Sequence, residues 1–188
     1  QAYIERLMVA EARAGRNVVR LKGGDPCIFG RGGEEVATLT ASGIEVRVVN
    51  GITSAMAAAT SAGIALTHRE HAHGVAFVTG HAASGDGPDW NALVRSGLTL
   101  VIYMGVSRCA QLQQSLLEAG MVSDMPIVIV QNASRDDERR IASQLHTLAT
   151  DVRTHGVASP AIFIAGRAAA LAAERLYTTA YAAQRASS

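Results

Sequence analysis

Val18-Val19-Arg20-Leu21-Lys22-Gly23-Gly24-Asp25-Pro26-Cys27-Ile28-Phe29-Gly30-Arg31-Gly32-Gly33 carries an apolar segment straight into a glycine-rich loop. Val18, Val19 and Leu21 predict a short strand, and the glycines that follow predict a tight strand-to-helix turn. In an α/β sheet, ligands bind beyond the carboxyl ends of strands. Glycines there admit a backbone approach that no Cβ would allow. Asp25 adds an acceptor, and Pro26 fixes φ beside it. The stretch reads as a backbone-lined site for a small, polar, nucleotide-like ligand. It is not a nucleoside-triphosphate loop, because Lys22 precedes the glycines instead of following them. The dinucleotide pattern G-x-G-x-x-G is absent as well.

Working outward, Ile4, Leu7 and Met8 recur at helical spacing, with Gly15 as a natural stop. Glu34 to Ser42 predicts a helix ended by Gly43, its two leading glutamates suiting the positive end of the helix dipole. Ile44 to Val49 predicts a strand, and Asn50 to Ser54 a second strand-to-helix turn leading into an Ala-rich helix that runs to Gly63. Residues 64–74 have no clear period and predict a linker. Beyond it come strands over Val75–Thr79, Leu98–Met104, Pro126–Gln131 and Ala161–Ala165, with helices over Trp90–Arg95, Ser107–Ala119 and about Leu145–Val152. Gly80–Pro88 predicts a flexible polar loop, Arg135–Arg140 a polar stretch, and Ala168 onward a helical tail. The alternation implies an α/β protein of two lobes, residues 1–73 and 74–188, each with its own sheet and flanking helices and a ligand cleft between them.

Composition narrows the function. The chain has 188 residues, 48% hydrophobic and 18% charged, which describes a globular protein with room for a core. A net charge of +1 gives no basic face for nucleic acid. Lys22 is the only lysine among seventeen basic residues. Cys27 and Cys109 have no C-x-x-C spacing, which predicts a reducing compartment. No apolar run approaches the ~18 residues of a membrane span, so a cytoplasmic location is expected. His68, His71 and His73 invite a metal check, but no cysteine or supporting carboxylate is placed by the sequence to complete a site, and no metal is expected.

Five ordered blocks carry a resemblance. Gly23–Glu35, Asn50-Gly51-Ile52-Thr53-Ser54, Gly63-Ile64-Ala65-Leu66-Thr67-His68-Arg69, Val78-Thr79-Gly80-His81 with Val101-Ile102-Tyr103-Met104-Gly105, and Ser159-Pro160-Ala161 together resemble the tetrapyrrole methylases. The resemblance implies the two-lobed fold of that family. It also implies S-adenosyl-L-methionine as methyl donor, with S-adenosyl-L-homocysteine as the spent form. Carried over block by block, the donor contacts fall on Gly23, Gly24, Asp25, Ile28, Thr53, Ser54, Met104 and Ala133. The implied reaction is C-methylation of uroporphyrinogen III to precorrin-2, for sirohaem or cobalamin, by a homodimer. Its alternatives are a later methylation on the corrin path, or a remnant that binds the donor without turnover. The macrocycle's carboxylates would be clamped by Arg31, Arg20 and Arg69. Asn50 stands where relatives have proline, Cys27 where they have phenylalanine, and Ala133 where they often have glycine. The family's opening strand, its Gly-Pro-Gly-Asp loop and its proton-transfer aspartate and lysine would all precede Gln1, so a chain beginning there is expected to lack part of the pocket.

Overall fold

Residues 1–81 and 87–176 are described by a computed structural model, and they cluster into two compact units, 1–54 and 55–188. The loop expected at Gly80–Pro88 and the tail expected from Ala168 onward therefore lie partly outside the described residues.

In residues 1–54, α1 (Ala2–Arg13) buries Met8, and α2 (Gly32–Ala41) buries Gly32 and Glu35. Thr38 Oγ1 donates to Glu5 Oε2 at 3.2 Å, tying the two helices together. The glycine stops work as the sequence predicts. Gly15 and Gly43 take left-handed φ values of 78° and 74°, and the following Arg16 N–H and Ile44 N–H reach back to Glu11 O and Leu39 O.

The strands expected at Val18–Leu21 and Ile44–Val49 do not form, and no strand lies in 1–54 among the described residues. A strand needs a ladder partner and a buried face. Here Val19 and Leu21 are 80% and 81% exposed, and Val48 and Val49 stand in solvent too. The expectation of one sheet per lobe is corrected to a single described sheet.

In residues 55–188, that sheet has five strands: β1 (Val75–Thr79), β2 (Thr99–Tyr103), β3 (Pro126–Gln131), β4 (Arg139–Gln144) and β5 (Ala161–Ala165). Their order is β1-β2-β5-β3-β4, with β1 parallel to β2 and every other pairing antiparallel. β2 and β5 are buried along their whole length, which is why both read as unbroken apolar runs. The sequence reading leaves β4 within a polar stretch. It is an edge strand whose Arg139 and Arg140 face water while Ile141 and Ser143 turn inward. The buried Ser143 hydroxyl donates to Asp151 Oδ2 at 2.7 Å, so its burial is compensated.

Helices complete the layers: α3 (Ser54–Ser61), α4 (Trp90–Arg95), α5 (Cys109–Glu118) and α6 (Leu148–Thr154). α5 presents Cys109, Leu112 and Leu116 at helical spacing to a core centred on Phe163, Ile102, Ile127 and Ile129. Compactness divides the chain after Ser54, whereas the sequence reading places the lobe boundary at 73/74. Ala55, Ala58 and Ala59 of α3 are buried, and Ala55 N–H donates to Tyr103 Oη of β2 at 3.2 Å.

Candidate functional site

In residues 1–54 two loops interlock through one carboxylate. Asp25 Oδ1 accepts from Cys27 N–H at 2.8 Å, and Oδ2 accepts from Gly51 N–H at 2.9 Å. The first bond shapes the 23–33 loop, and the second joins it to the 50–54 turn. The N–H bonds from Gly51 and then Cys27 hold the Asp25 carboxyl below its usual value. The contact admits only glycine at 51, because an added Cβ would run into Gly24 O. Gly24 packs beside Ile52 and Thr53 at ordinary contact distance, and its left-handed φ of 82° is what favours glycine there. Gly23, Gly24, Asp25, Thr53 and Ser54 are thus brought together. Ile28 joins through its N–H to Asp25 O at 3.4 Å. Asp25 has both oxygens engaged by the backbone, so its first task is to lock the loops.

Gly30 and Gly32 pack against the Pro26 carbonyl, and Gly32 N–H donates to it at 3.0 Å. This folds the loop back on itself and forces Phe29 and Arg31 into left-handed φ values of 50° and 57°. Such strain in non-glycine residues concentrates where function needs a particular backbone. The described residues have three others, Met104, Asn132 and Ser134. All five fall in segments that the sequence singles out.

Arg31 forks onto Glu34, Nε to Oε1 at 3.0 Å and Nη2 to Oε2 at 2.7 Å, in an exposed pair. Arg20 donates from Nε to Glu35 and from Nη1 to Leu21 O. Both arginines thus hold partners within their own unit. Glu35, read from sequence only as a dipole-favoured residue, is buried beneath Lys22, Arg20 and Gln1. Its place on the inward face of α2, one turn before Leu39, is the signal that betrays it.

In residues 55–188 the carboxyl ends of the parallel pair β1 and β2 lie side by side. Gly80 N–H donates to Tyr103 O at 2.7 Å, and a Cβ on Gly80 would sit 2.9 Å from Gly105 Cα. Met104, at φ 55° and 49% exposed, projects from that end. Beyond β3, Glu138 fastens the turn that holds Ala133. It accepts from Ser134 N–H and from Arg140 Nε, each at 2.6 Å, and also bonds Ser61. Burial works against its ionisation, yet these donors keep its carboxyl below the usual value. Ala133 is not among the left-handed residues, so its backbone has no need of glycine.

Arg69 is exposed in the turn closed by the His68–Ala72 bridge. That turn gathers donors from His68, Glu70 and His71 within 4.8 Å, so the carboxylate missing from the sequence reading is Glu70, and His73 stays outside. His68 Nδ1 already accepts from Glu70 N–H at 3.2 Å. A cavity of 530 Å³ beside Trp90, Arg108 and Glu118 reaches Gly80 of the Val78–His81 block, and one of 730 Å³ lies beside Arg139, Asp151 and His155; neither is lined by a residue expected to contact the donor or the substrate. No helix among the described residues is long and apolar enough to cross a membrane.

The glycine-lined loops of residues 1–54 and the five-stranded mixed sheet of residues 55–188 fit one class: the chain belongs to the family of Tetrapyrrole (Corrin/Porphyrin) Methylases, whose profile matches residues 1–149. Among its relatives is the uroporphyrinogen-III C-methyltransferase of Pseudomonas aeruginosa, 49% identical over 88% of this chain and 68% of that protein. The siroheme synthase of Chromobacterium violaceum is 48% identical over 92% of this chain but 37% of its own length. Among solved structures, uroporphyrin-III C-methyl transferase from Thermus thermophilus, complexed with S-adenyl homocysteine, superposes with a TM-score of 0.79. It is 41% identical over 91% of this chain and 75% of that one. A cobalt precorrin-4 methyltransferase gives a TM-score of 0.81 at 26% identity, covering 88% of this chain and 70% of that one.

Proposed function

We propose that the chain carries out S-adenosylmethionine-dependent C-methylation of uroporphyrinogen III, giving precorrin-2. The observation that carries this reading is the 49% identity to the Pseudomonas enzyme over most of the chain. The lower identity to the cobalt precorrin-4 enzyme, 26%, favours the early methylation over a later one. The glycine-lined lock supports it, because backbone approach without Cβ suits an adenosyl ligand.

When bound, S-adenosylmethionine supplies an electrophilic methyl group on a sulfonium. In residues 1–54 it is held by the backbone of Gly23 and Gly24, with Asp25, Ile28, Thr53 and Ser54. In residues 55–188 the contacts are Met104 and Ala133. Met104 offers a flexible thioether surface at a strand end, and its strained backbone fixes where that surface points. In-line displacement breaks the sulfur–methyl bond, leaves that electron pair on sulfur and forms a carbon–carbon bond to a pyrrole carbon. A proton then leaves the substrate to a base. Positioning supplies much of the rate, which is what two loops locked by one carboxylate provide. Arg31, Arg20 and Arg69 meet the substrate's carboxylates, with Arg31 exchanging Glu34 for a substrate carboxylate. The active form is a homodimer.

Calorimetry with S-adenosylhomocysteine, followed by anaerobic incubation with uroporphyrinogen III or a later precorrin, tests the reading. Binding together with methylation of uroporphyrinogen III is expected. Binding without turnover makes the chain a donor-binding remnant, and turnover of the later precorrin alone moves it along the path.

A further inference from the structure

The two glutamates that open α2 have opposite surroundings. Glu34 stands exposed on Arg31, whereas Glu35 is 5% exposed. Glu35 Oε2 accepts from Lys22 Nζ at 2.9 Å, and Oε1 accepts from Arg20 Nε at 3.2 Å and Gln1 Nε2 at 3.1 Å. A buried carboxylate is costly unless paired and hydrogen-bonded. Burial does oppose its charge, but the bonds from Lys22 and Gln1 and the charges of Lys22 and Arg20 keep its carboxyl below the usual value. Lys22 is the chain's only lysine, its side chain 13% exposed. Its ammonium meets one carboxylate oxygen while the Arg20 guanidinium meets the other.

The placement matters more than the pair itself. Lys22 immediately precedes Gly23, and Glu35 follows the loop's last glycine by two residues. Val19 and Leu21 are 80% and 81% exposed, so packing does not fix the approach to the loop. The ion pairs to Glu35 do. We propose that Glu35 is a positioning residue: through Lys22 and Arg20 it closes the base of the 23–33 loop and sets Gly23–Asp25 for the S-adenosyl ligand. This rests on the donor-binding role proposed for that loop.

The test is calorimetry of S-adenosylhomocysteine with the full chain, with a thermal melt of each protein to confirm folding. Glu35→Gln and Lys22→Met each weaken binding by about tenfold or more, roughly 1.4 kcal/mol. The double variant is no weaker than the worse single, because the residues act as a unit. Glu45→Gln, an exposed change in the same unit, binds as the parent does. With turnover, KM for the donor rises and kcat per folded molecule holds, whereas mere instability would lower the active fraction instead. If Glu35→Gln does not fold, Lys22→Met carries the same comparison. A folded Glu35→Gln or Lys22→Met protein binding as tightly as the parent, or losses that add in the double, overturns the proposal alone. A parent chain that binds no S-adenosylhomocysteine overturns the donor-binding role as well.

Discussion

Two glycine-to-alanine changes, three residues apart, separate a fitted loop from a merely flexible one. An alanine at position 30 would put Cβ 2.7 Å from Pro26 O and 3.1 Å from Asp25 O, both backbone atoms with no side chain to swing aside. Ordinary contact begins at 3.4 Å, so the two segments must part by 3.4 − 2.7 = 0.7 Å. The displaced atoms belong to Asp25 and Pro26, the residues that shape the lock. Misplacements of about 1 Å can cost around a hundredfold in a positioned site, so Gly30→Ala is expected to weaken S-adenosylhomocysteine binding by about ten- to a hundredfold. An alanine at position 33 meets nothing within 4 Å. It lies in the first turn of α2, where alanine gains up to about 1 kcal/mol over glycine in helix propensity. Gly33→Ala should bind the ligand as the parent does and melt no lower. Calorimetry paired with thermal melts reads both. Equal affinities for the two variants would refute the claim that close packing of the 23–33 loop shapes the site.

The remaining expectations are simpler. Arg31→Ala weakens binding of the tetrapyrrole and spares S-adenosylhomocysteine, checked by fluorescence titration against calorimetry; equal losses would mean that Arg31 shapes the loop. A thiol reagent at pH 8 modifies exposed Cys27 in the folded chain and spares buried Cys109, whose thiol burial pushes up to about 11; unfolding releases both, and mass spectrometry counts them. Asp25 has a folded pKa depressed below 3.8, so its contribution to stability is fully present above that value and is lost as pH falls through the folded pKa. Urea midpoints measured from pH 6 down to 3 should therefore fall less steeply in Asp25→Asn than in the parent.

Much of the fold was legible because its central strands β2, β3 and β5 are buried on both faces and the edge strand β1 is mostly apolar. All four are predominantly apolar runs, found within a residue or two of their observed ends. β4 was not legible, since an edge strand with Arg139, Arg140 and a buried serine satisfied by Asp151 has no apolar signature. Val18–Leu21 and Ile44–Val49 misled for the opposite reason: β propensity describes side chains fitted to a pleated, half-buried surface, and these segments have no ladder. The loops were readable through their glycines. What the residues inside them do was less so. Asp25, expected to face a ligand, spends both oxygens on backbone N–H groups, and Arg31 is folded onto Glu34. Such pairings depend on where loops 26 residues apart meet, which no local pattern reveals.

The most direct measurement follows carbon. Incubated anaerobically with uroporphyrinogen III and S-adenosylmethionine labelled with ¹³C in its methyl group, the chain is expected to yield a tetrapyrrole carrying two labelled methyl carbons, with two equivalents of S-adenosylhomocysteine released. Label that stays wholly on the donor, with the chain folded and the donor bound, would contradict the account.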